Sequence, residues 1–82
     1  MTYNILSPDE ITIQNENFTT MQGAIDGLNN WVKRYESQGY YSSNYGRINL
    51  DLLVTSCQFV TYKEGETYYD EIENVLKHLN TK

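Results

Sequence analysis

Met21, Ala24, Ile25, Leu28, Trp31, Val32 and Tyr35 recur at intervals of three and four, and no other feature constrains the fold of this chain as tightly. At helical spacing these positions make one apolar stripe. Gln22, Asp26, Asn29, Lys33 and Arg34 lie mostly off it. The pattern predicts a helix over 20–37 that must bury its stripe against another element. Thr19 followed by Gln22 has the form of a capping box, and Gly39 stands where a left-handed residue would close the helix. Gly23 and Gly27 each weaken a helix by about 1 kcal/mol relative to alanine. Their spacing puts both on one side. They read either as tolerated glycines or as a groove that another backbone approaches closely.

The partner surface is sought among short β-prone runs. Residues 3–6 and 11–14 are such runs, and Ser7-Pro8-Asp9-Glu10 between them suits a type I turn, which predicts a β-hairpin with Ile11 and Ile13 on one face. A strand is expected over 58–63, and a turn at Glu64-Gly65-Glu66. Thr67 and Asp70 then open a helix with a stripe of Tyr69, Ile72, Val75, Leu76 and Leu79. The stretch 48–57 is ambiguous. Asn49 could cap a short helix with Leu50, Leu53, Val54 and Cys57 inside, or residues 52–63 could form one long strand. The short helix is preferred. The order is then β-β-α-(short α)-β-α. This is an α+β chain with a small three-stranded antiparallel sheet packed by two amphipathic helices, expected as one domain over 1–82.

Length bounds the stability of such a core. A chain of 82 residues buries only roughly 60–65% of the surface exposed by its unfolded form. Cys57 is the only cysteine, so no intramolecular disulfide can supplement the core, and a reducing, cytoplasmic setting is expected. Association into a homodimer is the remaining supplement. The first residues lack the basic and apolar regions of a signal peptide, and no run approaches the ~18 apolar residues of a membrane span. A soluble chain with no membrane partner is expected.

The formal net charge is −5, with acids gathered at 9–16 and 64–73. Such a chain lacks the basic stripe that drives phosphate binding, so nucleic acid is disfavoured as a partner. A protein partner, including a basic one, fits better. The plainer reading is that the charge serves solubility.

The inventory of chemical groups is thin. One histidine and one cysteine are too few for a metal cluster. His78 reads as a surface residue near a helix end. The acids at 64–73 lack the spacing and central glycine of a calcium loop. Cys57 stands among Leu53, Val54 and Phe59 and reads as a small buried hydrophobe rather than a nucleophile. Neither Ser42 nor Ser43 sits in a nucleophile elbow, and Gly39 and Gly46 do not form a phosphate-binding loop. The expectation is a non-enzymatic chain with no cofactor.

Gly39-Tyr40-Tyr41-Ser42-Ser43-Asn44-Tyr45-Gly46-Arg47 is the candidate contact segment. Tyrosine offers large area at low rotamer cost, and Ser, Asn and Gly add adaptable hydrogen bonds. Tyr35, Tyr40, Tyr41, Tyr45 and Arg47 are the expected binding residues. The competing readings are a structural lid on the end of the core and a platform on which bases stack, with Arg47 on a phosphate. Trp31 reads as a core anchor or as an interface hot spot.

The run Trp31-Val32-Lys33-Arg34-Tyr35-Glu36, then Gln38-Gly39-Tyr40-Tyr41-Ser42-Ser43, then Gly46-Arg47-Ile48-Asn49-Leu50-Asp51-Leu52 and Cys57 resembles a group of small uncharacterised bacterial and mobile-element proteins. The Ser7-Pro8-Asp9 turn is similar too, so the likeness spans roughly residues 5–60. The resemblance implies no activity and no functional residue. It implies a setting: an accessory protein of a prokaryote, plasmid or phage. In that setting the expected function is binding to another protein, in the sharpest form as an inhibitor of a host defence system of the anti-CRISPR kind.

Overall fold

A computed structural model describes residues 1–80. The elements run β1 (Thr2–Leu6), α1 (Met21–Lys33), β2 (Tyr40–Ser43), β3 (Gly46–Asn49), α2 (Leu50–Leu53), a 3-10 turn at Val54–Ser56, β4 (Gln58–Lys63), β5 (Glu66–Glu71) and α3 (Ile72–Asn80). β1, β4 and β5 form an antiparallel sheet with β4 in the middle, and β2 and β3 form a separate antiparallel hairpin. The α+β class and the three-stranded sheet stand as expected. The element order does not, because among the described residues 11–14 is not a strand, 40–49 forms a second sheet and 66–71 is a strand.

The core lies on one face of the larger sheet. Ile5 and Phe59 meet Ala24, Ile25, Leu28 and Trp31 of α1, Leu53 and Cys57, and Ile72 and Val75 of α3. Both helices therefore spend their stripes on this layer, as the periodicity predicts. The short helix at 50–53 also stands, with Leu53 fully buried and Asn49 at its N-cap, although the Asn49 side chain makes no capping bond.

Residues 11–14 are not a strand. The Ser7–Glu10 turn forms, with the Glu10 N–H donating to the Ser7 carbonyl. The return limb then pairs only at Thr12 and Phe18, by isolated bridges to Leu6 and Tyr3. The loop between them is held by one buried side chain instead of a ladder. The Asn4 amide donates to the Gln14 carbonyl at 3.0 Å and to Asn17 Oδ1 at 2.9 Å, while its Oδ1 accepts from the Ile5 N–H at 2.8 Å. A fully buried asparagine is tolerated because its polar atoms are matched.

Residues 66–71 are strand rather than the first turn of the last helix. Glu64 and Gly65 take φ of 50° and 83°, which closes a tight turn between Lys63 and Glu66. The β-prone Thr67, Tyr68 and Tyr69 then lie along β4, where a helix would leave the sheet without its third strand. The helix starts at Ile72, with the Asp70 carboxylate accepting from the Glu71 N–H and from Asn74 Nδ2 at its entrance.

The first helix is shorter than its pattern. Its N-cap is Thr20, not Thr19: Thr20 Oγ1 accepts the Gly23 N–H at 2.9 Å. It ends at Lys33, and turns carry the chain to Gly39, whose φ of 84° closes the segment as expected. Gly27 is a packing site, although for a side chain rather than a backbone. A Cβ there would clash with the far edge of the Phe18 ring, at Cζ and Cε1.

Candidate functional site

The tyrosine-rich segment is a hairpin rather than a loop. Tyr40, Tyr41, Ser42 and Ser43 pair with Asn49, Ile48, Arg47 and Gly46. Gly46 supplies the positive φ, 118°, that the reversal needs. Ser43 Oγ donates to the Gly46 carbonyl and accepts the Tyr45 N–H, which closes the tip. Alternation along the strands sorts the side chains. Tyr41 and Ile48 face inward and pack against the core cluster. Tyr40, Ser42, Arg47 and Asn49 share the outward face.

The inward face rests on an aromatic triad at the end of α1. Trp31, Tyr35 and Tyr41 stand with ring centroids 5.0–5.2 Å apart, in tilted and edge-on arrangements that suit the aromatic quadrupole. Trp31 is only 7% exposed, so it anchors the core. The Asp9 carboxylate provides a second hold, accepting from the Tyr41 hydroxyl at 2.9 Å and from the Asn44 N–H at 2.7 Å. Burial, and then the bond to Asp9, raises the Tyr41 pKa above its ordinary value.

The expected site residues therefore divide. Tyr35 and Tyr41 are half-buried and form the foundation. Tyr40 and Arg47 lie outward, with the guanidinium carbon 4.4 Å from the Tyr40 ring centroid, a cation–π contact. Tyr45 stands at the tip and is 84% exposed. Sequence reasoning missed Asp9, which it confined to a local turn. Tyr68 and Tyr69, expected in the last helix, are instead 50% and 60% exposed on β5.

The remaining chemical groups are arranged as follows. Cys57 is buried, its S–H donates to the Leu53 carbonyl, and burial pushes its pKa up to about 12, which opposes thiolate chemistry. Among the described residues no group of His, Cys, Asp and Glu is placed to hold a metal ion, and no helix is long and apolar enough to cross a membrane. Glu10, Glu71 and Glu73 line an open cleft of about 360 Å³ together with Ser7 and Ser56. Comparison with protein-family models, with curated proteins and with solved structures finds no match for this chain.

Proposed function

We propose that this chain is a non-enzymatic protein-binding module and that the outward face and tip of the β2–β3 hairpin are its contact surface. Tyr40, Tyr45 and Arg47 make the contact, and Tyr35 and Tyr41 hold it in place. One observation carries this reading: the most exposed tyrosine sits on a hairpin fixed from behind by the Trp31–Tyr35–Tyr41 triad and by Asp9. A contact surface that is already ordered loses little entropy on binding. Tyrosine and arginine are also the residue types in which interface energy concentrates. The narrower form, an accessory phage or plasmid protein that inhibits a host defence system, follows from the resemblance of the 31–57 run and not from the geometry.

The test compares wild type with a Tyr40→Ala, Tyr45→Ala, Arg47→Ala variant as bait in a lysate of the source cell. All three changes leave the triad and the Asp9 bonds intact, and near-ultraviolet circular dichroism checks the fold. A partner held by wild type and lost by the variant is the expected result. Equal capture by both would move the contact off the hairpin. Capture of nothing, with quenching of tyrosine emission by a single-stranded oligonucleotide, would replace the protein partner by nucleic acid.

A further inference from the structure

The two edges of the larger sheet are treated differently. In an antiparallel ladder, every second residue of an edge strand turns its N–H and C=O away from its neighbour. On β1 those residues are Tyr3 and Ile5, and both are satisfied. Tyr3 exchanges two bonds with Phe18, the Ile5 carbonyl accepts from Ile13, and the Ile5 N–H is taken by Asn4 Oδ1. On β5 the tight turn makes Lys63 and Glu66 the closing bonded pair, so Thr67, Tyr69 and Glu71 face outward. Asp70 Oδ1 takes the Glu71 N–H. Among the described residues no hydrogen bond outside the ladder reaches Thr67 or Tyr69 main-chain atoms. All of β5 is exposed, and it carries no proline to blunt the edge.

We propose that this edge of β5 receives an extended, lysine- or arginine-bearing segment of a partner protein as a fourth strand. Main-chain bonds to Thr67 and Tyr69 provide the attachment common to strand addition. Charge selects the occupant. Glu64, Glu66, Asp70, Glu71 and Glu73 lie in or beside β5, and the bases nearest them in sequence are Lys63 and Lys77, two against five. A second copy of this chain would double those carboxylates along one seam, whereas a basic segment neutralises them. Tyr68 and Tyr69 stand on opposite faces of the strand, offering rings to the alkyl stems and charged heads of basic side chains. The C-terminal end of β5 borders the cleft lined by Glu10, Glu71 and Glu73, which adds acidic residues at that end. This inference rests on the reading of the chain as a protein-binding module, but on a different surface from the hairpin.

The probe is the synthetic peptide Lys-Thr-Lys-Val-Lys-Thr-Lys with blocked ends, titrated into the uniformly ¹⁵N-labelled full chain. Amide shifts centred on Thr67, Tyr69 and Glu71, saturating at roughly 1 mM or below, are expected. The paired change Glu66→Gln, Glu71→Gln should weaken binding roughly 3–10-fold without touching the ladder. Tyr69→Pro removes one outward N–H that β4 does not use, and should weaken binding about tenfold or more. Tyr40→Ala with Arg47→Ala should leave peptide binding unchanged, so failure here and failure of the hairpin reading are separable. The proposal is overturned by the absence of shifts at about 5 mM peptide, by equal binding of the Glu-for-Lys peptide, or by a wild-type dimer that Tyr69→Pro dissociates.

Discussion

Asp9 accepts a hydrogen bond from the Tyr41 hydroxyl at 2.9 Å, and its other carboxylate oxygen takes the Asn44 N–H at 2.7 Å. One side chain of the first turn thus clamps a hairpin that begins far along the chain. Bonds to a charged acceptor contribute about 1.5–3 kcal/mol. Asp9→Ala is expected to lower stability by about that amount, read as a drop in the urea midpoint at unchanged slope. Asp9→Asn keeps an acceptor oxygen and should lose less. Equal losses from both would show that the charge, and not the oxygen, is what holds the hairpin.

Cys57 and Tyr41, the groups of raised pKa that the fold covers, should make stability fall in alkali. Cys57 holds its proton up to about 12 when folded, against an ordinary value of 9.0, because it is buried. Tyr41 is raised above 10.0, first by burial and then by Asp9. In both cases the folded chain keeps a proton that the unfolded chain releases earlier. The contribution is therefore complete below the unfolded value and is lost as pH climbs through the folded one. Denaturant midpoints should fall above pH 9 in wild type. The onset should move toward pH 10 in Cys57→Ala, and Tyr41→Phe should flatten the fall above pH 10. A companion measurement is thiol labelling at pH 8: it should be slow for the native chain and immediate in strong denaturant.

The helices of this fold were legible because their apolar spacing is longer than any local ambiguity. Ala24, Ile25, Leu28 and Trp31 are buried as a stripe, and so are Ile72 and Val75. The strand at 58–63 and the turn after it were legible too. What failed was tertiary choice. Tyr69 fits the stripe that continues through Ile72 and also fits a strand, and the unfilled side of β4 decides for strand. Asp9 suits its turn so well that nothing local points to Tyr41. Tyr35, Tyr40, Tyr41, Tyr45 and Arg47 could be gathered by composition. Which of them face outward depends on hairpin register, which Gly46 and the inward packing of Tyr41 and Ile48 set.

The start of α1 separates two adjacent threonines. Thr20 Oγ1 accepts the Gly23 N–H, whereas the preceding Thr19 lies outside the cap. Thr20→Ala should cost about 1 kcal/mol and Thr19→Ala a few tenths at most. Chemical denaturation of the two variants checks the assignment. A larger loss from Thr19→Ala would place the helix start one residue earlier and restore the capping box suggested by Gln22.

Gly27 and Phe18 test whether a helix glycine is tolerated or needed. By propensity alone, Gly27→Ala should stabilise an exposed helix position by about 1 kcal/mol. Here the new methyl would clash with the far edge of the Phe18 ring, which is itself packed against the core and whose residue is pinned by main-chain bonds to Tyr3. Overpacking of this kind costs about 1–3 kcal/mol. The single variant should therefore be less stable than wild type, by about 1 kcal/mol after the propensity gain. Phe18→Leu withdraws the far end of the ring. In that background Gly27→Ala should become stabilising, and the double-mutant cycle should show a coupling of about 1–2 kcal/mol. Additive effects would mean that the ring moves aside freely, leaving Gly27 without a packing role.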